Sequence, residues 1–260
     1  MHTATLPASP GQPSGVGWSA WWEGFVSLLY PSVCEICETR RVTPGQGYVC
    51  GECRSVPGRL RTIHDPVCGR CGLPFEGAIG LPFVCENCAD LGLNFDSARA
   101  AVVATPFLLD VIHRYKYGGA LWFEPFLAGL LLEAAVPRLA GNRWDAVVPV
   151  PLHPVRQRER GFNQAERLAR RLAAATGIPC LHDAIRRRSA TRTQALLDRG
   201  ERTQNMARAF EAKPGRAFRA RRVVVVDDVL TTGATCSAVS RALREAGAAE
   251  VIVWTVARGI

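Results

Sequence analysis

Two stretches of the sequence carry residue types at spacings that do chemistry. The first is Val223–Thr235, VVVVDDVLTTGAT. An apolar strand ends in two adjacent carboxylates, Asp227 and Asp228. A short turn with Thr231, Thr232 and Gly233 follows, and a helix begins. At the carboxyl end of a parallel strand, such a turn lies where open α/β sheets bind ligands. The free N–H groups and positive dipole of the helix start suit a phosphate. Gly233 lets the backbone come close, and the threonine hydroxyls add donors. The aspartates suit the vicinal hydroxyls of a sugar, or a Mg²⁺ ion. The plainer alternative makes Thr232 an N-cap and the aspartates solvated groups at a strand end. Apolar strand, acid pair and threonine-rich helix start occurring together favour the ligand site.

The second stretch is Cys34-x2-Cys37-x12-Cys50-x2-Cys53, followed by Cys68-x2-Cys71-x13-Cys85-x2-Cys88. Zinc takes four tetrahedral thiolate or imidazole ligands, and a Cys-x-x-Cys knuckle offers two sulfurs to one ion. Two knuckles joined by a short hairpin close one four-thiolate site, and here the arrangement occurs twice. The expectation is two structural zinc ribbons with knuckles paired sequentially. Cross-braced pairing, iron–sulfur centres and redox pairs are the alternatives. A closed four-thiolate site leaves no open coordination position, so it holds structure rather than catalyses. Cys180 and Cys236 stand apart and read as small buried apolar residues. A disulfide framework would need an oxidising compartment and a secretion signal. Residues 1–17 carry no Lys or Arg and are rich in Pro, Ser and Gly, which reads as a flexible tail. Thiolates in a reducing cytoplasm are therefore expected.

The elements that must position these groups can be read from periodicity. Ala98–Ala104, Ala146–Val150, Arg222–Val226 and Glu250–Val256 read as strands. Pro106–Tyr115, Trp122–Leu139, Asn163–Ala175 and Ala234–Ala246 read as helices, the third ended by Gly177 and Pro179. Alternating strands and helices predict a mostly parallel sheet covered on both faces. Trp18–Tyr30 reads as a short apolar helix ended by Pro31. It is expected to dock on the rest of the protein, since a membrane-surface helix would carry Lys or Arg on its polar face. The organisation predicted is a tail over 1–17, a short helix over 18–33, a double zinc ribbon over 34–92 and an α/β domain over 93–260. The ribbons hold few apolar residues, so metal is the staple they need.

Composition sets the outer bounds. The chain has 260 residues, 48% hydrophobic and 21% charged, which excludes wholesale disorder. No uncharged apolar run is long enough to span a membrane. The net charge of +9 is uneven: residues 1–97 carry −3 and residues 98–260 carry +12. Two filled four-thiolate zinc sites would lower the total to +5. Arg186–Arg222 holds 12 basic and 3 acidic residues. That segment suits either phosphates or a nucleic-acid backbone. Its only aromatics are Phe210 and Phe218, which weakens a base-stacking platform. Arg156, Arg158 and Arg160 follow a strand end and precede the Gly161 turn. They read as a cradle for pyrophosphate oxygens or as a solvated loop. Lys116, one of two lysines, suits a phosphate, a base or plain solvent; His153 suits pyrophosphate or a cap.

Val223–Thr235 resembles the 5-phosphoribosyl-1-pyrophosphate (PRPP) motif of type I phosphoribosyltransferases. That resemblance implies that Asp227 and Asp228 hold the ribose 2′ and 3′ hydroxyls. It implies that Thr231, Thr232, Gly233, Ala234 and Thr235 wrap the 5′-phosphate. Purine-salvage members often place an acid where Thr231 stands, so a general base of that kind is not expected here. With HRYKYGG at His113–Gly119, VPVPLHPVRQRERGFNQ at Val148–Gln164, RTQALLDRGERTQNMARAF at Arg192–Phe210 and two upstream zinc ribbons, the chain resembles the ComF family. These are competence-associated phosphoribosyltransferase-like proteins, and the resemblance covers roughly residues 20–260. It implies a type I phosphoribosyltransferase-like parallel sheet flanked by helices, preceded by a small double zinc ribbon. It further implies a cytoplasmic protein linked to DNA uptake, with Mg²⁺ accompanying PRPP or a related ligand. Asp227, Asp228, Arg160 and Arg192 are then the expected catalytic set, with Arg156 at the leaving pyrophosphate. The competing expectation is an adaptor for single-stranded DNA or a DNA-uptake helicase, in which PRPP regulates or plays no part.

Overall fold

The computed structural model describes residues 32–77, 83–89, 92–187, 209–214, 218 and 221–260. The tail, the Trp18–Tyr30 helix and Arg192 lie outside these residues.

Each ribbon is a pair of cysteine knuckles. The first contains helix α1, Gly51–Ser55, and the second contains α2, Glu86–Ala89. The chain then alternates β1 (Ser97–Val103), α3 (Pro106–Tyr117), α4 (Glu124–Leu139), β2 (Ala146–Pro149), α5 (Pro154–Arg160) and α6 (Gln164–Thr176). After these come β3 (Ile185–Arg187), β4 (Phe210–Ala212), β5 (Arg222–Leu230), α7 (Ala234–Glu245) and β6 (Glu250–Arg258). Strands β1, β6, β5 and β2, in that order, form one wholly parallel sheet.

Strand alternation explains the two-sided burial. On β5, Val224 and Val226 enter the core with Leu131, Leu168 and Leu172 of α4 and α6. Val223 and Val225 enter the opposite core with Val239 and Leu243 of α7. Side chains in a strand point alternately to opposite faces, so a continuous valine run serves both layers. The sheet is covered on both faces, as the strand–helix alternation predicts.

The ribbons cover what the sheet leaves open. β1 is an edge strand, and an uncovered edge exposes unpaired backbone groups. Its Ala101 and Ala98 are reached by Ile63 N donating to Ala101 O (3.0 Å) and Ala98 N donating to Arg70 O (2.7 Å). The first ribbon contributes Cys34, Val42, Val49, Cys50 and Cys53 to the same core as Phe123 and Phe126. Gly47 is required there: its φ is +62°, and an added Cβ would lie 2.3 Å from Phe126 N. Arg54 stacks on Phe126, 4.8 Å from the ring centre, and Arg114 pairs with Glu35 at 2.6 Å.

Three elements differ from the sequence expectation. β5 runs on through both aspartates to Leu230, because β6 keeps pairing with it as far as Arg258. Residues 154–160 form a helix rather than a loop. Pro154 suits its first position, His153 caps it and Gly161 at φ +77° ends it. The described ends of the basic segment form an antiparallel pair, β3 with β4. Arg186 is paired with Glu211 at 2.5 Å, and Arg187 stacks on Phe210 at 5.4 Å. Arg222 pairs with Glu250 at 2.5 Å and stacks on Trp144 at 4.5 Å. Each of these three arginines has a partner in the fold, although Arg186 stays exposed to solvent.

Candidate functional site

The acid pair sits in the body of the central strand, not at a solvated end. Asp227 and Asp228 are 9% and 3% exposed. Alternation puts Asp228 on the Val224/Val226 side and Asp227 on the α7 side. Asp227 Oδ1 accepts from the Asp228 backbone N–H at 2.9 Å. Burial, and then the neighbouring Asp228 charge, push the Asp227 carboxyl well above the ordinary carboxylate range. Asp228 Oδ2 is buried and accepts no hydrogen bond of ordinary geometry among the described residues. Its compensation is an ion pair with Lys116 at the end of α3. Tyr115, fully buried against Phe162 at 5.2 Å, anchors that end of the helix.

The turn after β5 leads into α7. Gly233 is the residue before the helix, at φ +79°, and an added Cβ would lie 3.4 Å from the Phe95 ring. A side chain there would be strained and would also crowd the turn. Thr232 Oγ1 accepts from Ala234 N at 3.4 Å, so Thr232 stands one position ahead of the cap itself. The first N–H groups of a helix have no carbonyl within it to meet. Here they border a small hollow lined by Asp227 and residues 229–236. Thr231, Thr232, Gly233, Ala234 and Thr235, singled out in the sequence, all line it.

A larger cavity has a volume of about 330 Å³. Lys116, Tyr117, Gly119, Arg156, Glu159 and Arg160 line it. The helical spacing of α5 puts Arg156, Glu159 and Arg160 on one face and turns Arg158 away. Arg160 stacks over Tyr117 at 4.4 Å and donates to Gln164 Oε1 at 3.0 Å. Asn163 fixes the next helix by capping Ala165 N (3.0 Å) and donating to Val150 O (3.1 Å) at the end of β2. His153 Nδ1 accepts from Val155 N at 3.2 Å, so His153 caps α5 and does not line the cavity. Lys116 therefore links Asp228 to the cavity that Arg156 and Arg160 line, while Asp227 lines the turn hollow. Sequence reading offered Lys116 to a phosphate, a base or solvent without its partner Asp228, and it assigned no role to Tyr117 or Glu159. The signal for Glu159 was its position beside two cavity arginines, legible only once 154–160 is known to be helical.

The cysteines form two separate groups, Cys34, Cys37, Cys50, Cys53 and Cys68, Cys71, Cys85, Cys88. Pairing is sequential, not cross-braced. Within each group the sulfurs lie within 4.8 Å of one another. A tetrahedral Zn–S length of about 2.3 Å puts sulfurs about 3.8 Å apart. Cys37 and Cys50 are 3.9 Å apart, and Cys71 and Cys85 are 3.7 Å apart. Backbone N–H groups of Cys50 and Cys85 donate to the sulfurs of Cys34 and Cys68, each at 3.3 Å. The Thr39 hydroxyl on Cys37, with backbone donors, lowers that thiol to about 6, which favours the ligating thiolate. The donor set and its spacing fit zinc in both groups.

Sheet, turn and acid pair define a phosphoribosyltransferase-like α/β protein carrying a double zinc ribbon. Family comparison agrees: residues 25–89 match a double zinc ribbon domain and residues 134–260 a phosphoribosyl transferase domain. Competence protein F of Haemophilus influenzae is 34% identical over 80% of this chain and 90% of its own. DNA utilization protein YhgH of Escherichia coli K12 is 30% identical over 89% and 99%. Competence protein ComFC of Streptococcus pneumoniae is 29% identical over 81% and 87%. The chain belongs to the ComF family.

Proposed function

We propose that this protein binds PRPP, or a closely related phosphoribosyl ester, together with Mg²⁺. The observation that carries this reading is a chain of neighbours: Asp227 lines the turn hollow, the adjacent Asp228 pairs with Lys116, and Lys116 lines the basic cavity with Arg156 and Arg160. The amides of the first turn of α7, with Thr231, Thr232 and Thr235, would receive the 5′-phosphate. Asp227 and Asp228 would receive the ribose hydroxyls. Arg156, Arg160 and Lys116 would face the pyrophosphate, with guanidinium forks suited to its oxygens. Hard carboxylate and phosphate oxygens are the donors Mg²⁺ prefers, and the ion would screen pyrophosphate charge as it leaves. Tyr117 and the arginine stacked on it would form one wall for a planar acceptor. Attack of a nucleophile on the anomeric carbon, with departure of pyrophosphate, is the reaction such a site would support. Relatives named for competence and DNA utilization support a link between this protein and DNA uptake. Arg192 belongs to this reading as a cation that would close over the leaving group.

Calorimetric titration of PRPP with MgCl₂ into zinc-loaded protein tests it. Saturable binding that disappears in Asp227→Ala/Asp228→Ala, with the thermal transition retained, is the expected result. Equal binding by the double variant would sink the site.

A second reading, a DNA-binding adaptor, draws on the exposed arginines of α5 beside Tyr117 and on the names of the relatives. Arg187, stacked on Phe210, is a poor candidate for that surface, whereas Arg186 stays exposed beside Glu211. DNA affinity that falls steeply with salt and weakens on neutralising Arg156 and Arg158 is its signature.

A further inference from the structure

Arg258 ends the central strand β6, and it is 7% exposed with no carboxylate partner among the described residues. A buried guanidinium must find acceptors for its five donors. Its Nε donates to Cys71 O at 3.0 Å, and its Nη2 lies 3.4 Å from Cys71 Sγ. Its Nη1 donates to Leu230 O at 3.1 Å and Thr231 O at 2.7 Å, and also reaches Gly259 O. One rigid, planar group therefore touches a sulfur of the second zinc site, the carbonyl of Leu230 that ends β5 and the carbonyl of Thr231 that opens the turn.

A second path runs in parallel. Arg70, between Cys68 and Cys71, donates to Leu93 O at 2.8 Å and Asp96 O at 3.2 Å. The segment it holds packs beneath the same turn. Phe95 faces Gly233, and Asn94 donates twice to Ser237 Oγ, at 2.9 and 3.1 Å. The second ribbon is thus tied to both ends of the turn.

We infer that Arg258 is a positioning residue that couples the second zinc site to the phosphate-binding turn. An N–H···S contact draws charge from a zinc-bound thiolate and fixes that sulfur. The other arm of the fork holds the turn carbonyls, so that the following amides stay aimed at the hollow. Loss of zinc from Cys68, Cys71, Cys85 and Cys88 loosens the turn and weakens binding of a phosphate ester. By linkage, the bound ester retains that zinc more strongly. The ligand arm rests on the phosphate reading of the turn; the structural arm does not.

Zinc-loaded full-length protein is followed by hydrogen–deuterium exchange of residues 230–236 and by zinc release to a chromogenic chelator. Both are measured with and without ribose 5-phosphate. Cys88→Ser opens the second site without touching an atom that Arg258 contacts. It is expected to speed exchange in the turn about tenfold while β2 and α6 exchange as before. Arg258→Met is expected to speed both turn exchange and loss of one of the two zinc ions. Ribose 5-phosphate is expected to slow the release of that same ion in the unmodified protein. Wild-type exchange in the turn of zinc-depleted Cys88→Ser overturns the inference. If Arg258→Met does not fold, Arg258→Lys, which keeps the charge but not the fork, gives the same exchange readout. If ribose 5-phosphate does not bind while exchange still responds to both zinc loss and the Arg258 variant, the phosphate reading fails and the Arg258 link stands.

Discussion

Lys116, at the end of α3, and Asp228, in the body of β5, form an ion pair whose members are 19% and 4% exposed at the side chain. Removing one member of a buried pair leaves the other charged and desolvated, which costs about 3–5 kcal/mol in fully buried cases. Lys116 keeps some contact with water, so Lys116→Met should cost less, about 2 kcal/mol. Urea unfolding at neutral pH measures it. A variant as stable as the parent would show that Asp228 finds other compensation. The same variant should bind PRPP more weakly, because Lys116 also lines the basic cavity.

Asp227 gives the opposite sign. Its folded-state pKa lies well above the ordinary value of 3.8, because burial and Asp228 both oppose ionisation. The folded protein therefore binds this proton at pH values where the unfolded chain has released it. Stability must fall as pH rises from about 4 through the folded pKa, with the full penalty present above it. Asp227→Asn removes the penalty and should raise the unfolding midpoint at neutral pH while abolishing sugar binding. Scanning calorimetry from pH 4 to pH 8 checks the slope. A variant that loses stability at pH 8 would contradict the assignment. The acid pair is thus held at a cost to the fold, as a site that binds a ligand would accept.

Much of this site was legible before the fold. The conjunction VVVVDDVLTTGAT marks strand, acids and helix start because each has its own local chemistry. The cysteine knuckles were legible for the same reason, and their sequential pairing follows from short hairpins that bring neighbouring knuckles together. What could not be read was tertiary. Basic residues at 156–160 look alike in a loop and in a helix, and only the helix separates Arg156 and Arg160 from Arg158. Arg186 and Arg187 read as solvated cations until Glu211 and Phe210 arrive from β4. Lys116 was ambiguous because its partner lies far along the chain, and Arg258 gave no signal at all. A lone arginine at a strand end has no pattern until its acceptors are known.

The first ribbon shares its core with the α/β domain, so it should not melt alone. Val42, Val49 and three of its cysteines are buried with Phe123 and Phe126. Structural zinc in small domains contributes folding free energy on the order of 10 kcal/mol or more. Cys50→Ser, which opens this site, should therefore lower the main thermal transition instead of adding a separate early one. Circular dichroism followed beside zinc release tests this. Release of zinc well before an unshifted main transition would show that ribbon and sheet are energetically independent.

Arg160 and Arg156 face the same cavity but are held differently, and that difference predicts unequal effects. Arg160 is half-buried, stacked on Tyr117 and bonded to Gln164, so its guanidinium is already placed. Arg156 is exposed, and its side chain must be ordered when a ligand arrives. A charge-assisted hydrogen bond from a fixed group contributes about 1.5–3 kcal/mol, or roughly 10- to 150-fold in affinity. An exposed pair contributes under about 1 kcal/mol after ordering. Arg160→Ala should therefore weaken pyrophosphate binding at least about tenfold, and Arg156→Ala less than about fivefold. Arg160→Lys should rescue little, because an ammonium cannot both stack on Tyr117 and fork onto two oxygens. Ribose 5-phosphate, which lacks the pyrophosphate, should bind all three variants as it binds the parent. Calorimetry with the two ligands separates these outcomes. An equal loss of both ligands in Arg160→Ala would mean that Arg160 holds the turn in shape and does not meet the pyrophosphate.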